Sequence, residues 1–126
     1  MTATAAPAIR TPRRAPSLVT RLAQLGNILR PTPHVPLAVP GMQLFAKLEY
    51  VNPIGSIKDR PAFWILKRAA ERGEICDDTT VIESSSGNFA YALAAFTRLV
   101  GLKFIPVIDP TSRRRMSRSC GAAVTG

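Results

Sequence analysis

The chain has 126 residues, 46% of them hydrophobic, with a mean hydropathy of +0.08 and a formal net charge of +9. That suffices for one folded core, is too short for two comfortable domains, and includes no apolar run near the ~18 residues that a membrane span needs. The charge is uneven: residues 1–30 hold five Arg and no acid, residues 31–80 six bases and six acids, and residues 81–126 six bases and two acids. Basic ends around a neutral centre attract phosphate backbones loosely, and no specific nucleic-acid surface is expected from them.

In chain order, MTATAAPAIRTPRRAPS has no apolar core of a secretory signal. Its Arg, Ala, Ser and Thr without acids superficially match an organelle transit peptide. A Pro-interrupted, disordered basic tail over 1–16 is the simpler reading. Ser17 then caps a short helix in which Leu18, Leu22 and Leu25 share a face and Gly26 is the stop. Residues 30–41 carry Pro31, Pro33, Pro36 and Pro40, which predict an extended connection. Gln43 to Tyr50 alternates as a strand.

The turn Asn52-Pro53-Ile54-Gly55-Ser56-Ile57-Lys58 leads into a helix over 59–72, where Ala62, Ile65, Leu66 and Ala69 keep helical spacing and Gly73 ends the run. Asp59 and Pro61 suit its first turn. Residues 79–83 read as a buried strand, Ser84-Ser85-Ser86-Gly87-Asn88 as a second polar turn, 89–100 as a helix closed by Gly101, and 102–108 as a third strand. Alternation of strands and helices predicts an α/β fold: a parallel sheet with flanking helices and right-handed crossovers. Both polar turns follow strand carboxyl ends, where such sheets bind ligands, so they are expected to face one crevice.

The chemistry concentrates in those turns. A helix N-terminus carries roughly half a positive charge, so an ammonium at Lys58 is disfavoured there. That field, with a partly dry crevice, lowers an amine's pKa and leaves it nucleophilic toward an aldehyde, the chemistry of a Schiff base. An ordinary surface lysine is the bland alternative. Residues 84–88 offer three hydroxyls, a glycine and an amide at a helix start without Lys or Arg, a cradle sized for a carboxylate or phosphate. A generously capped helix is the structural alternative, although one Ser satisfies capping.

Other chemistries fit less well. No glycine stands two residues before any of these serines, so a nucleophile elbow is absent. Gly55 precedes Lys58 at the wrong spacing for a Walker loop. Cys76 and Cys120 are 44 residues apart and His34 is the single histidine, which excludes standard zinc spacings and any disulfide framework. No metal site is expected, and two free thiols fit a reducing cytoplasm. An amine beside a carboxylate cradle suits an amino acid held through an aldehyde cofactor.

NPIGSIKDR and ESSSGN, 27 residues apart from Lys58 to Ser85, resemble the two N-terminal signatures of the cysteine synthase family. These are fold-type II enzymes that use pyridoxal 5'-phosphate, related to the cystathionine β-synthases. Lys47-Leu48-Glu49 and the helix and strand spacing extend the resemblance over about residues 42–110. The resemblance implies that Lys58 forms the Schiff base with the cofactor and removes the substrate's α-proton. It implies that Asn88 hydrogen-bonds the cofactor's phenolic oxygen and that Ser85, Ser86, Gly87 and Phe89 hold the substrate carboxylate. The implied reaction is β-replacement in amino-acid biosynthesis: an O-activated serine loses its leaving group, and sulfide or an amine adds to give cysteine or a β-substituted alanine. A homodimer of the intact enzyme is implied as well.

Departures refine this. Phe89-Ala90 stands where cysteine synthases commonly have Thr-Gly, and Pro61 after Lys58-Asp59-Arg60 is more like the branch that makes 2,3-diaminopropionate precursors from O-phosphoserine and an amino-acid amine. The family's glycine-rich loop for the cofactor phosphate is not found, and TSRRRMSRSCGAAVTG over 111–126 is Arg- and Ser-rich where the family has a long apolar helix. The expectation is therefore a partial pyridoxal-phosphate domain over 17–110, the incomplete N-terminal portion of a fold-type II enzyme, inactive as this chain alone. The competing expectation is a non-catalytic binding module whose basic ends engage nucleic acid or an acidic partner.

Overall fold

Ser17 opens the first helix, α1 (Leu18–Gly26), by accepting the Thr20 N–H at 3.3 Å on its hydroxyl. The structure, a computed structural model, describes residues 15–85 and 87–108. The basic tail up to residue 14, Ser86 and the Arg/Ser-rich end lie outside the described residues. Leu18 and Leu22 are buried beneath α1. Gly26 does more than end the helix, because a Cβ there would stand 2.9 Å from Cζ of Phe63. The missing side chain lets the first two helices close on each other.

The proline-rich connection is where the sequence reading needs correction. His34–Val39 forms a strand, β1, paired antiparallel with β2 (Met42–Lys47) through a two-residue turn at Pro40-Gly41. Gly41 has φ +74°, and Pro followed by a residue of positive φ is the signature of a type II turn. The prolines fit the ladder for a geometrical reason. Leu48 N–H donates to Pro33 O at 2.9 Å, so alternation along an antiparallel pair leaves Pro36 opposite Phe45 in a non-hydrogen-bonded position. There its missing N–H costs no ladder bond. The strand expected over 43–50 ends early, and Glu49–Val51 winds into one 3₁₀ turn.

The remainder follows the expected order. Helix α2 (Asp59–Glu71) leads to β3 (Thr80–Ser84), α3 (Asn88–Val100) and β4 (Lys103–Val107). Strands β3 and β4 pair in parallel, with Val81 beside Phe104 and Ile82 beside Ile105. Among the described residues the parallel sheet has these two strands, while β2 belongs to the separate hairpin.

Three helices enclose the core. Phe63 of α2 meets Phe96 of α3 edge to face, with centroids 6.4 Å apart, around buried Leu22, Leu66, Leu93 and Val100. Val81 and Phe104 pack on this core from the sheet. Their neighbours Ile82 and Ile105 are exposed on the strands, although parallel strands of such apolar sequence are normally covered on both faces. Arg21 ties α1 to the far end of α3: its Nε donates to Val100 O at 2.8 Å, and its guanidinium pairs with Asp77. A cation at a helix C-terminus also complements the helix dipole. The described residues contain no helix long and apolar enough to cross a membrane.

Candidate active site

The turn from β2 to α2 is built around two buried side chains. Asn52, 5% exposed, donates from Nδ2 to Glu49 O at 2.8 Å, Glu49 Oε2 at 2.6 Å and Ser56 O at 2.9 Å. Asp59, fully buried at the first position of α2, accepts the Ile54 N–H at 2.6 Å and the Ser56 hydroxyl at 3.2 Å. An acid in the first helical turn is favoured by the dipole. Ser56 Oγ in turn accepts the Lys58 N–H at 3.1 Å. Lys58 is the N-cap of α2, and its carbonyl accepts the Ala62 N–H at 3.1 Å.

Lys58 therefore stands where the sequence puts it, at the N-terminus of a helix whose dipole is answered by Asp59. It is exposed, so the described residues do not supply the dry surroundings expected for it. Its groove, about 570 Å³, is walled by Lys47, Glu49, Ile57, Lys58, Arg60 and Pro61. Three cations thus face one carboxylate, and that carboxylate is already taken. Glu49 lies 3.3 Å from both Lys47 Nζ and Arg60 Nε. It also accepts the Thr32 hydroxyl at 2.8 Å. The Asn52 hydrogen bond most of all, then that of Thr32, with help from Lys47 and Arg60, holds its carboxyl down from 4.5 to about 2 against the opposing effect of burial. Among the described residues Lys58 makes no ion pair, which leaves its amine uncommitted.

The second turn is differently made. Ser85 is half-buried just beyond β3, and Gly87, the N-cap of α3, has φ +117° in the region that favours glycine. No side chain caps α3 at this position. The first helical bond runs from Tyr91 N–H to Gly87 O at 3.0 Å, so the N–H groups of Asn88, Phe89 and Ala90 have no acceptor within the helix. Asn88 is exposed, whereas the Phe89 ring packs toward the core. Ser86 lies outside the described residues. The groove beside Lys58 takes in none of the described residues of 84–88, and the strands before the two turns belong to different sheets. The single crevice expected from one continuous parallel sheet is thus not formed by this groove.

Sequence reasoning passed over Thr32, Asn52 and Arg60 and gave Glu49 no task. A partial signal existed in the Asn at the start of a Pro-Gly turn, a position that favours side-chain to backbone bonds.

The profile of the family described as "Pyridoxal-phosphate dependent enzyme" matches residues 26–126. The chain belongs to this family. It is 56% identical over 68 residues to an N-(2-amino-2-carboxyethyl)-L-glutamate synthase of Ralstonia nicotianae, a match covering 54% of the chain and 20% of that protein. An O-acetylserine-dependent cystathionine β-synthase from Helicobacter pylori superposes with a TM-score of 0.62 at 30% identity, over 75% of this chain and 34% of the other. A hydrogen sulfide-producing enzyme from Fusobacterium nucleatum gives 0.65 at 30% identity, over 86% and 36%. The chain thus spans a fifth of the curated relative and about a third of the solved ones. The fold is that of the N-terminal portion of fold-type II pyridoxal-phosphate enzymes, and pyridoxal phosphate is the cofactor that goes with it.

Proposed function

We propose that these residues form the lysine-bearing part of a β-replacement enzyme that acts on an O-activated L-serine. The single observation that carries the reading is Lys58: an exposed amine without an ion pair among the described residues, in a groove whose other cations outnumber its one carboxylate. Those donors fit an anionic aldehyde such as pyridoxal phosphate, which offers a carbonyl to the amine and negative charge to the surrounding field. When bound, the cofactor supplies the electron sink for the carbon that loses its proton.

The chain's own residues then divide the remaining work. Lys58 Nζ holds the cofactor and afterwards carries the α-proton. Asn88, exposed at the first position of α3, would offer its amide to the cofactor's phenolic oxygen. Ser85, Ser86 and the N–H groups of Gly87 and Phe89 take the substrate carboxylate, a task suited to a helix start whose donors lack intrahelical acceptors. An amino-acid amine is the nucleophile best supported, by the 56% identity to the Ralstonia nicotianae synthase and by Pro61 and Phe89. The proposal includes a homodimer of the intact enzyme and a reducing cytoplasm as its compartment.

Titrating pyridoxal phosphate into the chain is the test. A protein-bound aldehyde absorbance band that disappears in Lys58→Ala supports the reading; a band that survives the substitution contradicts it. Because the solved relatives are about three times as long, the 126 residues alone are expected to turn over little substrate even where the band forms.

A further inference from the structure

We propose that Glu49 is a positioning residue for Lys58: its carboxylate is the knot that fixes the chain on both sides of the reactive amine. The consequence for catalysis rests on the function proposed above, but the tie itself is geometrical.

Four partners reach Glu49 from four places in the chain. Thr32 comes from before β1, Lys47 from the end of β2, Asn52 from the turn and Arg60 from the first turn of α2. Two of these lead directly to Lys58. On its N-terminal side, Asn52 Nδ2 bridges Glu49 Oε2 and Ser56 O, and Ser56 Oγ accepts the Lys58 N–H at 3.1 Å. On its C-terminal side, Arg60 joins Glu49 through Nε and donates from Nη2 to Arg30 O at 2.7 Å. Lys58 lies between the two tethers.

The arrangement is specific to a carboxylate. Glu49 is an acceptor with two oxygens, and it meets two hydrogen-bond donors and two cations at once. A glutamine keeps the size but offers one acceptor oxygen and no charge, so Lys47 and Arg60 lose their counter-ion. The Glu49 side chain is 16% exposed, which limits water as a substitute. An ordinary surface ion pair would contribute almost nothing. This one instead holds a segment whose remaining hydrogen bonds are mostly local.

The experiment uses the full 126-residue chain and has two readouts. Backbone amide exchange is followed in peptides covering 49–60 and, as internal reference, 88–100. In parallel, pyridoxal phosphate is added and trapped on lysine with borohydride, and the rate at Lys58 is measured by mass. In Glu49→Gln, exchange over 49–60 is expected to rise about tenfold while 88–100 stays within about twofold, and Lys58 trapping to slow about fivefold. Glu49→Asp should recover part of both. Unchanged exchange over 49–60, or equal acceleration of both regions, overturns the proposal, the second because it marks a general loss of stability. Arg60→Gln removes one tether alone and keeps the test decisive should Glu49→Gln not fold. It is expected to raise exchange over 49–60 about threefold, and no rise contradicts the proposal. Absence of trapping at Lys58 in the unaltered chain defeats the cofactor reading instead, and the exchange result still decides the role of Glu49.

Discussion

The turn at 52–58 and the turn at 84–88 each carry the chain from a strand into a helix, yet among the described residues they are held differently. In the first, buried Asn52 and Asp59 bind backbone groups on both sides, and Glu49 ties the whole to three other segments. In the second, no side chain caps α3 at Gly87, and three N–H groups at its start have no acceptor within the helix. The turn before Lys58 spends its polar groups on its own backbone. The second keeps N–H groups at a helix start that the helix itself does not satisfy, which suits the carboxylate site proposed for it.

This contrast can be broken most forcefully at Asp59. Asp59→Ala leaves the part-buried Ile54 N–H without its acceptor and removes the acid from the first turn of α2. It is expected to destabilise the chain by about 3 kcal/mol in urea unfolding. A loss below about 1 kcal/mol would mean that the first turn is not braced as described. Gly87→Ala comes next, at about 1–2 kcal/mol, because φ +117° is a conformation that alanine adopts only with strain.

Glu49 sharpens the comparison through pH. Its carboxyl is depressed from 4.5 to about 2, so the stability it contributes is complete above the unfolded value and drains away as pH falls through the folded one. The urea midpoint of the unaltered chain should therefore drop between about pH 5 and pH 2 more steeply than that of Glu49→Gln; parallel curves would refute the network. The smallest expected effect is at Ser85. Ser85→Ala should change stability by less than about 0.5 kcal/mol, since the hydroxyl is not needed to cap α3, while weakening any bound carboxylate.

Much of this fold was legible in the residues. Leu18 and Leu22 marked α1, helical spacing and Gly73 bounded α2, and Gly101 closed α3, each to within a residue or two. The hairpin was hidden because proline argues against a strand. Its acceptability at Pro36 depends on ladder alternation, which requires the pairing partner to be known. The placement of β2 outside the parallel sheet had a partial signal, since a strand covered on both faces reads as a continuous apolar run whereas 43–50 alternates. Lys58 and the turn at 84–88 stood out because their residue types exceed what capping requires. Glu49 did not, because its partners at 32, 47, 52 and 60 meet only after folding.

We propose that Lys58, and not lysine in general, is the amine prepared for an aldehyde. It is tested most directly by adding limiting pyridoxal phosphate to the chain, reducing with borohydride and mapping the label by mass spectrometry over Lys47, Lys58, Lys67 and Lys103. Label concentrated on Lys58 and lost in Lys58→Ala is the predicted result. Label shared evenly among the four lysines would contradict the account.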